Sequence, residues 1–171
     1  MGIVIHFEGS LLGEGAYEPT VAIVTNFARA RGWPCKELAR EHAKLKRTSG
    51  EKSWDYIGPT KGIELQPHPN SETLRFEFDD QLYVQDYVKT QFAPIEVHIA
   101  IVELLKRLQP EFRELRVNDD GEFFDTGDPR HLARHRDSVF KVLKDMLARH
   151  PNTIGPVRGP DGRILDIMQK D

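Results

Sequence analysis

His98 is the side chain in this sequence best placed to do chemistry. It sits in a run, Pro94 to Leu108, whose polar residues Glu96, Glu103 and Arg107 form only a narrow edge. At ~100° per residue a helix puts His98 between Val102 and Leu105, inside the apolar arc. An imidazole there needs a hydrogen-bond partner, and burial disfavours its charged form. One reading makes His98 the general base of a small hydrolase or lyase, assisted by Glu122 or Asp125. The other makes it a core histidine bonded to a carbonyl or carboxylate. Phosphate-loop, dinucleotide and G-x-S-x-G patterns are missing from the sequence, and nothing marks a second catalytic group. The sequence favours the core reading and a protein that is not an enzyme.

The second concentration of chemistry is Asn118 to Asp128, with five carboxylates and two phenylalanines. Its spacing does not match a calcium loop, because Asp119, Asp120 and Asp128 stand where turns and helix caps need them. Asp119, Asp120, Glu122, Phe123, Phe124 and Asp125 read instead as an acidic recognition hairpin with an aromatic contact for a protein partner. His131 and His135, four apart on a helix, have metal-clip spacing, but Asp128 is the sole further ligand in reach. No metal or cofactor is expected. Residues 29–52 carry eight Lys/Arg against three Asp/Glu, and residues 111–128 carry seven acidic against two basic. Arg40, Lys44, Lys46 and Arg47 in the basic block would suit an anionic ligand. The block lacks interleaved aromatics, so nucleic acid is not the expected partner. Cys35, the one cysteine, makes no internal disulfide and has no assigned histidine partner.

These groups must be positioned by 171 residues, enough for one compact domain. Charged residues make up 30% and the net charge is −3, which excludes a generally basic nucleic-acid binder. No run reaches the ~18 to 20 apolar residues of a membrane span, and no secretory leader is evident, so a cytoplasmic location is expected. Ile3 to Phe7 reads as a strand, and Pro19 to Gly32 as a helix. Leu38, Ala39, His42 and Leu45 suggest a second helix over 36–45. From Ser53 to Lys89 the period is two, which predicts two hairpins or a four-strand meander with a turn at Gly58-Pro59. The apolar helix from Pro94 follows, then a hairpin of strands 115–118 and 122–125 about an Asp-Gly turn. A helix opened by Asp128-Pro129 runs to Arg149, with Leu132, Val139, Leu143 and Met146 inward. The order β-α(-α)-ββββ-α-ββ-α-tail predicts an α+β domain over 1–150, a mainly antiparallel sheet covered by helices. Residues 151–171 form a Gly/Pro-punctuated tail whose run Ile164 to Met168 would add an edge strand or pair two copies of the chain.

Lys89-Thr90-Gln91-Phe92-Ala93-Pro94-Ile95-Glu96-Val97-His98 and Val117-Asn118-Asp119-Asp120-Gly121-Glu122-Phe123-Phe124-Asp125-Thr126-Gly127-Asp128 together resemble an uncharacterised family of bacterial proteins. That family pairs K-T-Q-F-x-P-x-E-x-H with V-x-D-E-G-x-Y-W-x-T-x-D, and the likeness covers about Lys61 to Leu132. This chain has Asp120 in place of Glu and Phe123-Phe124 in place of Tyr-Trp, so it lacks two ring hydrogen-bond donors. The resemblance implies no activity. The leading expectation is therefore a non-catalytic, immunity-like or accessory module that binds a protein through the acidic hairpin. The catalytic and anion-binding readings stand behind it.

Overall fold

The computed structural model describes residues 2–171. The chain is α+β, with its strands paired antiparallel and its helices gathered over one sheet face. β1 (Val4–Leu11) is central to one three-stranded sheet, between β5 (Tyr83–Lys89) and β6 (Phe112–Asp119). β2 (Cys35–Ser49), β3 (Lys52–Leu65) and β4 (Leu74–Phe78) form the other in that order. The two meet at the β4–β5 connection, where Asp79 N–H donates to the Tyr83 carbonyl and Glu72 N–H to the Lys89 carbonyl. No ladder pairing joins β4 to β5 between those points among the described residues, so the composite sheet is split there.

Alternation along the strands separates two faces. Ile5, Phe7, Ile63, Leu65, Phe76, Phe78, Val84 and Val88 are buried in the main core with the helices α1 (Tyr17–Arg31) and α2 (Ile95–Leu108). Gly32 closes α1 at φ 67°, with the Trp33 N–H reaching back to the Ala28 carbonyl. Such a left-handed stop is cheapest for glycine. α2 buries eight side chains, including His98. α4 (Pro129–Arg149) is capped by Asp128, which accepts from the Arg130 N–H. It buries Leu132 and Val139 against Ile3, but Leu143 is only half-buried and Met146 is exposed, because its second half has less beneath it.

Three local expectations are corrected. Residues 36–45 are not a helix but the middle of β2, paired with β3 from Cys35↔Leu65 to Ser49↔Lys52. A bulge between Arg40 and Ala43 explains the misleading pattern: two residues of β2, Glu41 and His42, face one of β3, Pro59, so the alternation shifts phase and imitates helical spacing. Nor do Gly58-Pro59 turn the chain. β3 runs through them opposite that bulge, where a ladder can tolerate a missing N–H. Finally, residues 122–125 are not a strand. Glu122 takes φ 58°, and α3 (Phe123–Thr126) is one helical turn begun by a Phe124 N–H to Asp119 carboxylate bond of 2.9 Å. β6 pairs instead with β1.

The tail forms two small ribbons, β7 (Thr153–Ile154) with β10 (Met168–Gln169) and β8 (Val157–Arg158) with β9 (Ile164–Leu165). It adds no strand to either larger sheet. Instead residues 161–164 bind both lips of the β4–β5 split. On one side Thr73 N–H donates to the Gly162 carbonyl and Arg75 to the Asp161 carbonyl. On the other, Arg163 donates to the Tyr87 carbonyl and Lys89 to the Ile164 carbonyl. Arg163 also pairs with buried Glu72 and with Asp86.

Candidate functional site

Past the bulge, the β2–β3 hairpin leaves the sheet as an arm that bends over the polar sheet face. Its tip turns at Gly50, φ 59°, the conformation a two-residue hairpin loop needs. The arm is clasped to β5 by two side chains. Gln85 takes both main-chain groups of Thr48: Thr48 N–H donates to Gln85 Oε1 and Gln85 Nε2 to the Thr48 carbonyl, both at 2.8 Å. Arg47 is buried alongside, donating to the Gln85 and Tyr83 carbonyls at 3.2 and 3.4 Å, with Asp79 at 3.5 Å. Its Nε–H has no acceptor among the described residues. A buried donor left unmet costs free energy, so this wall of the arm carries one donor in excess.

Between arm and sheet lies a cleft of about 1190 Å³. Its lining takes residues from all six long strands, including the arm, and from the tail, and Lys/Arg outnumber Asp/Glu seven to five. The pairing matters more than the count. Glu77 is taken by Arg40 and Thr60, Glu64 by Arg75 and Lys36, and Asp86 by Arg163. Glu8 accepts from Tyr83 Oη and Gln85 Nε2, and Asp161 from the Arg163 N–H. Lys44 reaches Asp55 only at 3.4 Å, and Lys46 and His6 have no side-chain partner among the described residues. Lys46 is thus the one lining cation without an anionic partner among the described residues.

The basic-block candidates Arg40, Lys44, Lys46 and Arg47 are thus brought together on the arm and its root. Sequence reasoning missed their companions on the sheet, His6, Tyr87, Arg116 and Asn118. No local motif marks them, since each is one polar residue in an alternating strand and only strand pairing makes them neighbours.

His98 lies elsewhere, with 2% of its surface exposed. Nδ1 is 2.7 Å from Thr90 Oγ1 and Nε2 3.0 Å from the Asp119 carboxylate. Asp119 also accepts from the Gly121 and Phe124 N–H groups. Burial works to raise the Asp119 pKa, but the His98 bond and charge and those two amides outweigh it and hold it below the usual carboxylate value. Gly121 is needed for the fit, because a Cβ there would lie 2.6 Å from Leu132 and 3.2 Å from the His98 ring. Both ring nitrogens are occupied and no solvent reaches them, so the geometry gives His98 a structural role and no open face for a substrate. Glu122 and Asp125 are not its partners: Glu122 pairs with His131 and Asp125 is exposed.

The acidic segment is also redistributed. Asp119 is inside the protein, and Phe123 and Phe124 both pack on the core rather than forming an aromatic tip. Asp120 is half-buried, which leaves Glu122 and Asp125 as its exposed carboxylates. Asp128 is used as a helix cap and His131 by Glu122, and no cluster of three metal-binding side chains, His135 included, occurs among the described residues. Cys35 is half-buried against the core. No helix among the described residues is long and apolar enough to cross a membrane.

No family model, curated protein or solved structure matches the chain.

Proposed function

We propose that this chain is a non-catalytic binding protein whose ligand is anionic and occupies the cleft between the arm and the polar sheet face. The observation that carries the reading is the pairing pattern: the cleft's carboxylates all accept hydrogen bonds, while Lys46 has no partner among the described residues and Lys44 is held only by half-exposed Asp55 at 3.4 Å. Charged groups inside a concave, partly desolvated wall act on a ligand more strongly than the same groups on an open surface. A volume of about 1190 Å³ accommodates a small molecule with room to spare. The acidic segment supports a protein-binding role less well, because its aromatic rings and Asp119 serve the fold.

Inorganic tripolyphosphate is the simplest probe. Calorimetry should show it binding the native chain, and Lys44→Glu with Lys46→Glu should weaken it at least tenfold while the thermal unfolding curve is kept. Lys141→Glu, on exposed α4, should leave the affinity alone. Absent binding, or equal loss from both substitutions, would sink the reading.

A further inference from the structure

The cleft floor carries chemistry that a bare anion would not use. His6 faces Tyr87 across the β1–β5 pairing and Asn118 across the β1–β6 pairing, so the three stand in one row on neighbouring strands. At ~4.8 Å between strands the row is about 10 Å long. Tyr87 is 39% exposed, with the Arg163 guanidinium 3.9 Å from its ring centroid. The His6 ring is 5.6 Å from that of Tyr87, tilted by 38°. His6 and Asn118 are exposed, and neither side chain has a hydrogen-bond partner among the described residues. In the next row Arg116 stands beside Glu8, and Lys46 lines the cleft from the arm.

The exposed His6 imidazole, backed by the Tyr87 ring that Arg163 covers, and the carboxamide of Asn118 beside it suit a planar heterocycle, which stacks on the imidazole and offers its edge to the amide. The surrounding cations then sit where a group attached to that heterocycle would carry negative charge. We propose that the ligand is a nucleoside phosphate, its base on the Tyr87–His6–Asn118 row and its phosphates toward Lys46 and Arg116. The inference rests on the anionic-ligand reading and names the ligand of that same cleft. The same chemistry is offered by a free nucleotide and by the end of a single strand. The cleft is larger than a pocket for one drug-sized ligand, so either fits.

The test compares ATP, UTP, a single-stranded tetranucleotide and tripolyphosphate by calorimetry on the native chain and on His6→Ala with Asn118→Ala. Both substituted side chains are exposed, and a thermal melt confirms that the variant is folded. At least one nucleotide should bind tenfold or more tighter than tripolyphosphate. The double variant should lose that advantage while its tripolyphosphate affinity stays unchanged. A tetranucleotide binding tighter than either mononucleotide identifies a strand as the source, and the reverse order identifies a free nucleotide. Tripolyphosphate bound as tightly as every nucleotide, or an advantage that survives in the double variant, overturns this inference alone. No binding of any probe overturns it together with the anionic-ligand reading.

Discussion

Buried polar side chains in this protein are costly unless paired, and Asp119 shows how one residue can join several elements. Its carboxylate takes the His98 ring from α2, the Gly121 N–H from the turn and the Phe124 N–H that starts α3. Its folded pKa lies below the ordinary 3.8, so its contribution is complete above that value. It is lost as pH falls through the lower folded pKa. Unfolding curves should therefore show stability dropping in acid below about pH 4, with Asp119 among the groups responsible. Asp119→Asn should cost about 2 kcal/mol at neutral pH, since a hydrogen-bonded charge is replaced by a neutral amide. It should also flatten the acid slope. A variant with the native slope would show that this carboxylate does not titrate with folding. His98 was legible in the sequence as a core histidine because helical periodicity put it inside an apolar arc. Asp119 was not legible as its partner, because a short Asp-Gly segment reads the same whether its carboxylate faces solvent or a neighbouring helix.

Elements were readable where the buried face was continuous and obscured where pairing overrode local preference. α2 follows directly from its apolar arc, and α1 and α4 from their end signals, Gly32 and Asp128-Pro129. β2 has the opposite character: its middle, Glu37 to Lys46, is rich in good helix formers. Partnership with β3 along almost its whole length wins over that preference. The cleft was invisible for the same reason, since its floor, arm and tail residues are far apart in sequence and meet only after that pairing forms. The arm's attachment is correspondingly narrow, resting on buried Arg47 and on Gln85, which stands in for a missing strand by bonding both main-chain groups of Thr48. Gln85→Ala should lower global stability by only about 1 to 2 kcal/mol. Amide exchange at Thr48 and its neighbours should nevertheless quicken well beyond that in α2, because the arm can then open without the core. Uniform acceleration throughout the chain would mean that arm and core open as one unit.

At the scale of the molecule, the net charge of −3 conceals opposed regions, and the fold brings the basic one against the sheet while drawing part of the acidic one into the core. The same sheet has a structural weakness, its split between β4 and β5, and the tail is what closes it. Glu72 is 1% exposed and takes Arg163, the Lys89 N–H and the Ile164 N–H. Asp86 is paired with the same guanidinium, which also covers the Tyr87 ring on the cleft floor. Arg163→Ala would leave two carboxylates in the split without their cation, a change that costs about 3 to 5 kcal/mol when such a pair is buried. Arg163→Lys would restore charge but not the several directed contacts of the guanidinium, and should recover only part of the loss. The two half-sheets predict a spatial signature as well. Exchange should rise first in β4, β5 and the tail ribbons, while α2 and the β1–β6 ladder stay protected, and tripolyphosphate binding should weaken because the cleft floor loses its support. If Arg163→Ala melts like the native chain and keeps β4 and β5 protected, the Arg163 guanidinium is not what joins the halves, and the split is held by its terminal Glu72–Lys89 and Asp79–Tyr83 bonds with the tail's bonds to Thr73, Arg75 and Lys89.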